Sequence, residues 1–303
     1  MNSHADAKVE ARNATAILVK KDPTSPALLV TARGVIAIKA GTAFGGVTFK
    51  ADTPVVFDVT LKPGGDYAVV IKDGALGYVR LISPAIGDDI LGGFHFAPGG
   101  NAEARAGGDE KPAINPRSVW DRNFRPSCPD PRGMALVETA TGKFWCDVYL
   151  LGVNHIADGT SKFGATIADG DDPPAKPSGK HFSKLDYDTA VAVMKHHGKG
   201  LLSLEEFFAA AFGVTEKTSH DGDPCIAGLD APRTSKFGLM QATGNMWVWG
   251  HDGDPDEPRA SVFGGSWWSD DRAGSRYADV DCWRGLSSGR LGARGRSDHL
   301  QLG

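Results

Sequence analysis

The chain has 303 residues, among them 39 glycines and 18 prolines, and a formal net charge of −4. That length accommodates about two domains and enough buried surface to need no disulfide or metal staple, while so much glycine and proline excludes a helical bundle. A pI near 6.1 gives no mark of a nucleic-acid or anionic-membrane binder, and apolar runs such as Val69-Val70-Ile71 are too short to span a bilayer.

Met1 to Ala16 is polar and mixed in charge, without the basic start and apolar stretch of a signal peptide. Leu28 to Ala32, Arg33-Gly34 and Val35 to Lys39 predict a hairpin. Strands are expected at Val55 to Asp58, Tyr67 to Ile71 and Tyr78 to Ile82, separated by Pro63-Gly64-Gly65-Asp66 and Asp73-Gly74. Short strands with no helical stretch between them predict a small antiparallel β-sandwich. The small and polar stretch from Ala97 to Glu110 places a domain boundary near residue 110, giving domains 1–110 and 111–303.

The second part opens on different signals. Tyr187, Ala190, Val191 and Met194 follow helical spacing up to Gly198, and Ser203 with Glu206 forms a capping box before a second helix. Leu204, Phe207, Phe208, Ala211 and Phe212 are its expected buried stripe. Loops and short strands follow, carrying five of the seven tryptophans: Trp247, Trp249, Trp267, Trp268 and Trp283.

The residues show no metal, cofactor or catalytic signature. His196 and His197 are adjacent at a helix end and point about 100° apart, which suits a cation on a helix C-terminus better than a shared ion. His155 reads as a hydrogen-bonded core residue and His299 as structural. Asp252, Asp254 and Asp256 copy the start of a calcium loop, but Glu257 and Phe263 stand where an EF-hand needs Gly and Glu. That stretch, Asp169 to Pro174 and Asp221 to Pro224 are read as solvated acidic loops. Cys128, Cys146, Cys225 and Cys282 have neither metal-ligand nor C-x-x-C spacing, so a reduced state is the default and one disulfide stays open. No G-x-S-x-G elbow or phosphate loop occurs.

Between Gly265 and Leu300, aspartates and arginines of opposing charge mix with tryptophan, serine and glycine. This is the composition of a recognition surface, or of a loop-rich edge whose arginines pair internally.

Three motifs then fall in one order. His197 to Phe207 resembles the "GKRLPTEAEWE" helix of C-type lectin domains of the formylglycine-generating-enzyme type. Met240 to Trp249 resembles their "GNVWEW" segment, and Phe263-Gly264-Gly265-Ser266-Trp267 with Leu291-Gly292-Ala293-Arg294 their closing pair. Ala273 to Arg276 and Gly292 to Leu300 are similar to the variable proteins of diversity-generating retroelements, the phage tropism-determinant family. So are Gly92 to Gly99, Asp130 to Met134 and Tyr149 to His155, and the similarity runs from about Val19 to the end.

The resemblance implies an α+β chain, mostly β and irregular: a small N-terminal β-sandwich followed by a C-type lectin fold. It implies a homotrimeric tail-fibre receptor-binding protein of the virion, not an enzyme, without cofactor, nucleic-acid partner or membrane insertion. Other tail-fibre proteins and a host-cell surface protein or other surface ligand would be its partners. Adenine mutagenesis would diversify a segment at about 265–291. By register its variable positions are Ser266, Trp268, Asp270, Arg272, Asp279, Asp281, Cys282, Leu286, Ser288, Arg290 and Leu291. The fixed frame would be Gly265, Trp267, Gly274, Ser275, Arg276, Trp283, Gly292, Arg294 and His299. Trp268 departs from the pattern, because adenine substitution in an asparagine codon cannot yield tryptophan. The family's additional N-terminal β domain finds no room here, so virion attachment is expected to differ. The alternatives are a structural tail component with a non-varying lectin domain and a formylglycine-generating-type oxidase. The oxidase would need a cysteine pair near the C-terminus.

Overall fold

A computed structural model describes residues 17–72, 75–81, 86–99, 109–253 and 259–301. The polar start and most of the stretch around residues 97–110 lie outside these ranges, as do Asp254, Asp256 and Glu257. The architecture is mostly β. In chain order the strands are β1 (Leu28–Ala32), β2 (Val35–Ile38), β3 (Ala43–Phe44), β4 (Val47–Thr48), β5 (Thr53–Pro54), β6 (Gly65–Lys72), β7 (Ala75–Arg80), β8 (Ile90–Ala97), β9 (Ala113–Ile114) and β10 (Trp120–Asp121). After them come β11 (Met134–Glu138), β12 (Lys143–Asp147), β13 (Trp247–Gly250), β14 (Arg259–Phe263), β15 (Ala278–Trp283), β16 (Leu291–Gly292) and β17 (Arg296–Asp298). Three α-helices lie between β12 and β13: α1 (His155–Asp158), α2 (Tyr187–His196) and α3 (Leu204–Ala210).

The expected hairpin is present, with Leu28 opposite Ile38, and β5 pairs with β2. The strand expected over Val55 to Asp58 is displaced to Thr53–Pro54. Val55 N–H still bonds the Ile36 carbonyl, but the chain leaves the sheet as its buried side chain turns into the core. A second sheet runs β10-β8-β6-β7, with β9 also on β8. Leu28, Ile36 and Ile38 of the first sheet share one core with Tyr67, Val69, Leu91 and Phe94 of the second. The sheet continues beyond residue 110, since β9 and β10 pair with β8.

The two parts share their interiors. Ala68 and Val70 of β6 belong to the same apolar cluster as Trp120, Phe124, Met134, Leu136 and Trp145. Across the same junction His95 Nδ1 meets Asp66 at 3.1 Å and its Nε2 meets the Tyr149 hydroxyl at 2.9 Å. Burial opposes ionisation of Asp66, but the His95 ring and the Gly133 N–H hold its carboxyl below the usual value.

Both predicted helices form where their caps require. Asp186 accepts the Thr189 N–H at the start of α2, whose inner face is Ala190, Val193 and Met194; Gly198 at φ +66° ends it. Ser203 and Glu206 make both halves of the capping box of α3. Its buried face is Phe207, Ala210 and Ala211, whereas Leu204, Phe208 and Phe212 are only partly covered, a shift of the expected stripe. The cause is the partner surface: Phe207 stacks on Phe263 of β14 at 5.0 Å, while Phe208 turns outward under Arg276.

Two small sheets carry the C-terminal part. One is β15-β14-β13-β16, in which β16 runs parallel to β13; the other is β11-β12-β17. Through β17 the last residues return to β12, pinning both ends of the 265–300 segment to the core.

Candidate functional site

The segment from Gly265 to Leu291 leaves β14, makes an irregular loop, forms the edge strand β15 and returns through a second loop to β16. Its backbone is fixed by close approaches. Gly265 has φ +78°, and a methyl there would lie 2.7 Å from the Ala273 side chain. Gly274, at φ +150°, would place one 2.0 Å from Glu216, whose carboxylate accepts both the N–H and the hydroxyl of Ser275. Trp267 is half-buried against the main core and meets Trp268 edge-on at 5.6 Å.

Below the segment, Arg294 is buried and its guanidinium donates to four carbonyls: Asp147, Val148, Met240 and Gln241. Asp147 in turn accepts from Lys199 at 2.6 Å and from the Gly295 N–H. His299 accepts the Trp145 indole N–H at 3.0 Å, and burial, with help from Lys143, lowers its pKa. These three clusters tie the frame to β12 and to the loop before β13.

Seven of the eleven candidate positions are exposed: Trp268, Asp270, Arg272, Asp279, Asp281, Leu286 and Arg290. The Arg290 guanidinium lies 4.7 Å from the Trp268 ring centre, a cation–π contact that braces the exposed indole. Asp270 is a non-glycine residue at φ +50°, in the left-handed region that aspartate tolerates better than most. Asp281 bonds Arg259 at 3.2 Å, and Asp279 accepts the Asp281 N–H. Ser288 is half-buried, its carbonyl accepting the Gly170 N–H.

The other three positions point inward, against the expectation of exposed variable side chains. Ser266 is buried and accepts the Trp268 N–H at 3.3 Å. Cys282 packs opposite Ala260, and burial pushes its thiol up to about 11. Leu291 packs in the same cluster beside β13. Alternation along paired strands turns Cys282 and Leu291 to the core. Two residues placed in the frame are conversely exposed: Trp283 and Arg276. Arg276 lines a groove of about 790 Å³ between the β11–β12 hairpin and α3, with Phe208 and Phe212 on its floor.

Two other histidine and acidic readings change. His197 is no helix-end cation: it meets His155 Nδ1 at 2.8 Å, while His155 Nε2 faces the Ala175 carbonyl at 2.7 Å. His155 must carry its proton on Nε2, so the His197 N–H donates to its Nδ1. Burial, then the neighbouring His155 and Lys199, takes His197 down to about 4. Asp169 is buried and accepts the N–H groups of Asp171 and Asp172, and Asp252 caps α3 at the Leu204 N–H. Neither is simply solvated, whereas Asp221 and Asp223 are exposed, Asp223 accepting the Cys225 N–H. Among the described residues no group of three or more His, Cys, Asp or Glu could hold a metal ion, and all four cysteines are free.

Residues 26–121 match the family model of the Mtd second domain. The tail fiber receptor-binding protein of Bordetella phage BPP-1 is 40% identical, the alignment spanning 94% of this chain and 85% of that protein. The chain belongs to the major tropism determinant family. Two solved structures of that family extend the likeness to three dimensions. The I1 variant of the major tropism determinant has a TM-score of 0.88 at 38% identity, over 95% of this chain and 87% of its own. The U1 variant gives 0.87 at the same identity, over 94% and 86%.

Proposed function

We propose that this chain is a non-enzymatic receptor-binding protein of a phage tail fibre, acting in the virion. Its part after about residue 110 would be a C-type lectin fold that presents residues 265–291 to a host-cell surface protein or other surface ligand. The part before it would support that fold within a homotrimer joined to other tail-fibre proteins. One observation carries the reading: exposed side chains of both charges and an exposed tryptophan stand on a backbone fixed by Gly265, Gly274 and the Arg294 cluster. Such side chains can change without a packing penalty, so a retroelement could vary them while the fold persists. Binding of one small patch would be weak, and trimer and fibre multivalency would raise avidity by about 10² to 10⁴.

The inward positions narrow the proposal. Ser266, Cys282 and Leu291 would act on the shape of the face rather than touch a target. An oxidase reading gains nothing from Cys282, whose packed, high-pKa thiol is the reverse of a reactive one.

The test is adsorption of the purified protein to a panel of bacterial hosts. Trp268→Ala and Arg272→Ala should weaken binding at least about tenfold, a loss of about 1.4 kcal/mol, with the thermal melt unchanged. Unchanged binding by both would remove the face from the proposal, and a collapsed melt would reassign Trp268 to the core. In the genome, a near-copy of the 3′ end differing only at adenines, beside a reverse transcriptase gene, would separate active diversification from a frozen tail component.

A further inference from the structure

Trp283 stands at a position that register assigns to the frame, yet its side chain is 63% exposed, the same as Trp268. It packs against no core. Its six-membered ring instead lies on Gly285, where a methyl would come within 2.6 Å of the indole, so one face of the ring is seated and the other is open. The ring is thus ordered before any partner arrives, which lowers the cost of binding to it.

The charges around it are not neutral in effect, although they balance in number. Asp281, two residues back on the same strand, is 72% exposed, and its partner Arg259, directly across β14 from Trp283, is 33% exposed. Arg284, the next residue, reaches α2 instead, where it bonds Asp188 and lies 40% exposed over the Tyr187 ring. Beside Trp283 the Asp281 carboxylate stands outward while the Arg259 guanidinium lies down against the protein. An open indole face beside an outward carboxylate is complementary to an apolar-stemmed cation: the ring attracts the charge and the carboxylate takes its N–H groups.

The geometry points to Trp283 as a constant anchor of the binding face that receives a lysine or arginine side chain of a protein partner. This rests on the receptor-binding reading of residues 265–291 and adds a division of labour to it. Trp283, which register places in the frame, would then supply affinity common to all variants, and Asp270, Arg272, Asp279 and Arg290 would select among partners.

The experiment is a titration of the full-length protein with trilysine, read from the tryptophan indole N–H signals by NMR, with triglutamate as the control. The Trp283 signal is identified by its absence in Trp283→Ala. It should shift saturably with trilysine and stay in place with triglutamate, while the buried Trp249 signal is unmoved. Asp281→Asn and Gly285→Ala, which removes the carboxylate or tips the ring off its seat, should each weaken that response about fivefold or more. An unmoved Trp283 signal, an equal response to triglutamate, or full affinity in both variants would overturn the proposal. Host adsorption of the same proteins separates the two readings. If Trp283→Ala adsorbs normally while Trp268→Ala and Arg272→Ala do not, only the anchor falls. If all three adsorb normally, the face itself falls.

Discussion

Arg294 shows how one side chain can hold an irregular segment in place. A buried guanidinium with no full-time carboxylate fork is tolerated here because four carbonyls converge on it. Arg294→Met would keep the stem and leave those acceptors without their donor, at a cost of about 3 kcal/mol or more. Denaturant unfolding should show this as a lower midpoint with the slope unchanged. The histidine pair is the second residue-scale device. In the unfolded chain His197 titrates near 6.5, and in the fold burial brings it to about 4. Between those values the unfolded state binds more protons, so stability rises with pH across that window and falls as pH drops from 6.5 towards 4. Melting temperatures measured from pH 4 to 7 should show this slope, and His197→Gln should flatten it.

At the scale of elements, α3 is positioned by its own cap and by the last strand of the chain. Its capping box is closed by Ser203 and Glu206, and Glu206 also forks with Arg296 of β17, the shortest contact being 2.6 Å. Ser203→Ala removes one cap bond and should cost about 1 kcal/mol. Glu206→Ala breaks the cap and the fork together and should cost more, as thermal melts of the two variants would show. The capping box was legible in the sequence because it is a local pattern of side chain and backbone. Which aromatic of Phe207, Phe208 and Phe212 is buried was not, since that depends on where Phe263 and the β11–β12 hairpin approach the helix. The strand expected over Val55 to Asp58 moved for a similar reason. Alternation of apolar residues marks burial, and Val55 is buried, but only pairing with β2 decides where hydrogen bonding ends.

For the whole molecule, the shared core is the decisive feature. Ala68 and Val70 lie in one cluster with Met134, Leu136 and Trp145, and β9 and β10 complete a sheet begun before residue 90. A chain begun at residue 111 would expose these apolar faces at about 25 cal/mol for each Å² uncovered. We expect that fragment to aggregate, while the full chain gives a single cooperative melt. Size-exclusion chromatography and circular dichroism of both would decide it.

Taken by itself, the sequence determined the hairpin, the two capped helices, the glycine-rich closing segment and the family. Each is written in local spacing or in motifs that keep their order along the chain. It also singled out 265–291 as the segment proposed to meet a target, because aromatic and charged residues crowd there. Only the tertiary structure decided which of those side chains face out. Cys282 and Leu291 turn inward, and Ser266 is buried in its own loop, while Trp283 emerges. The reason is pairing: once β15 and β16 are fixed beside β14 and β13, the pleat assigns each strand side chain a face, and no spacing within 265–291 carries that register.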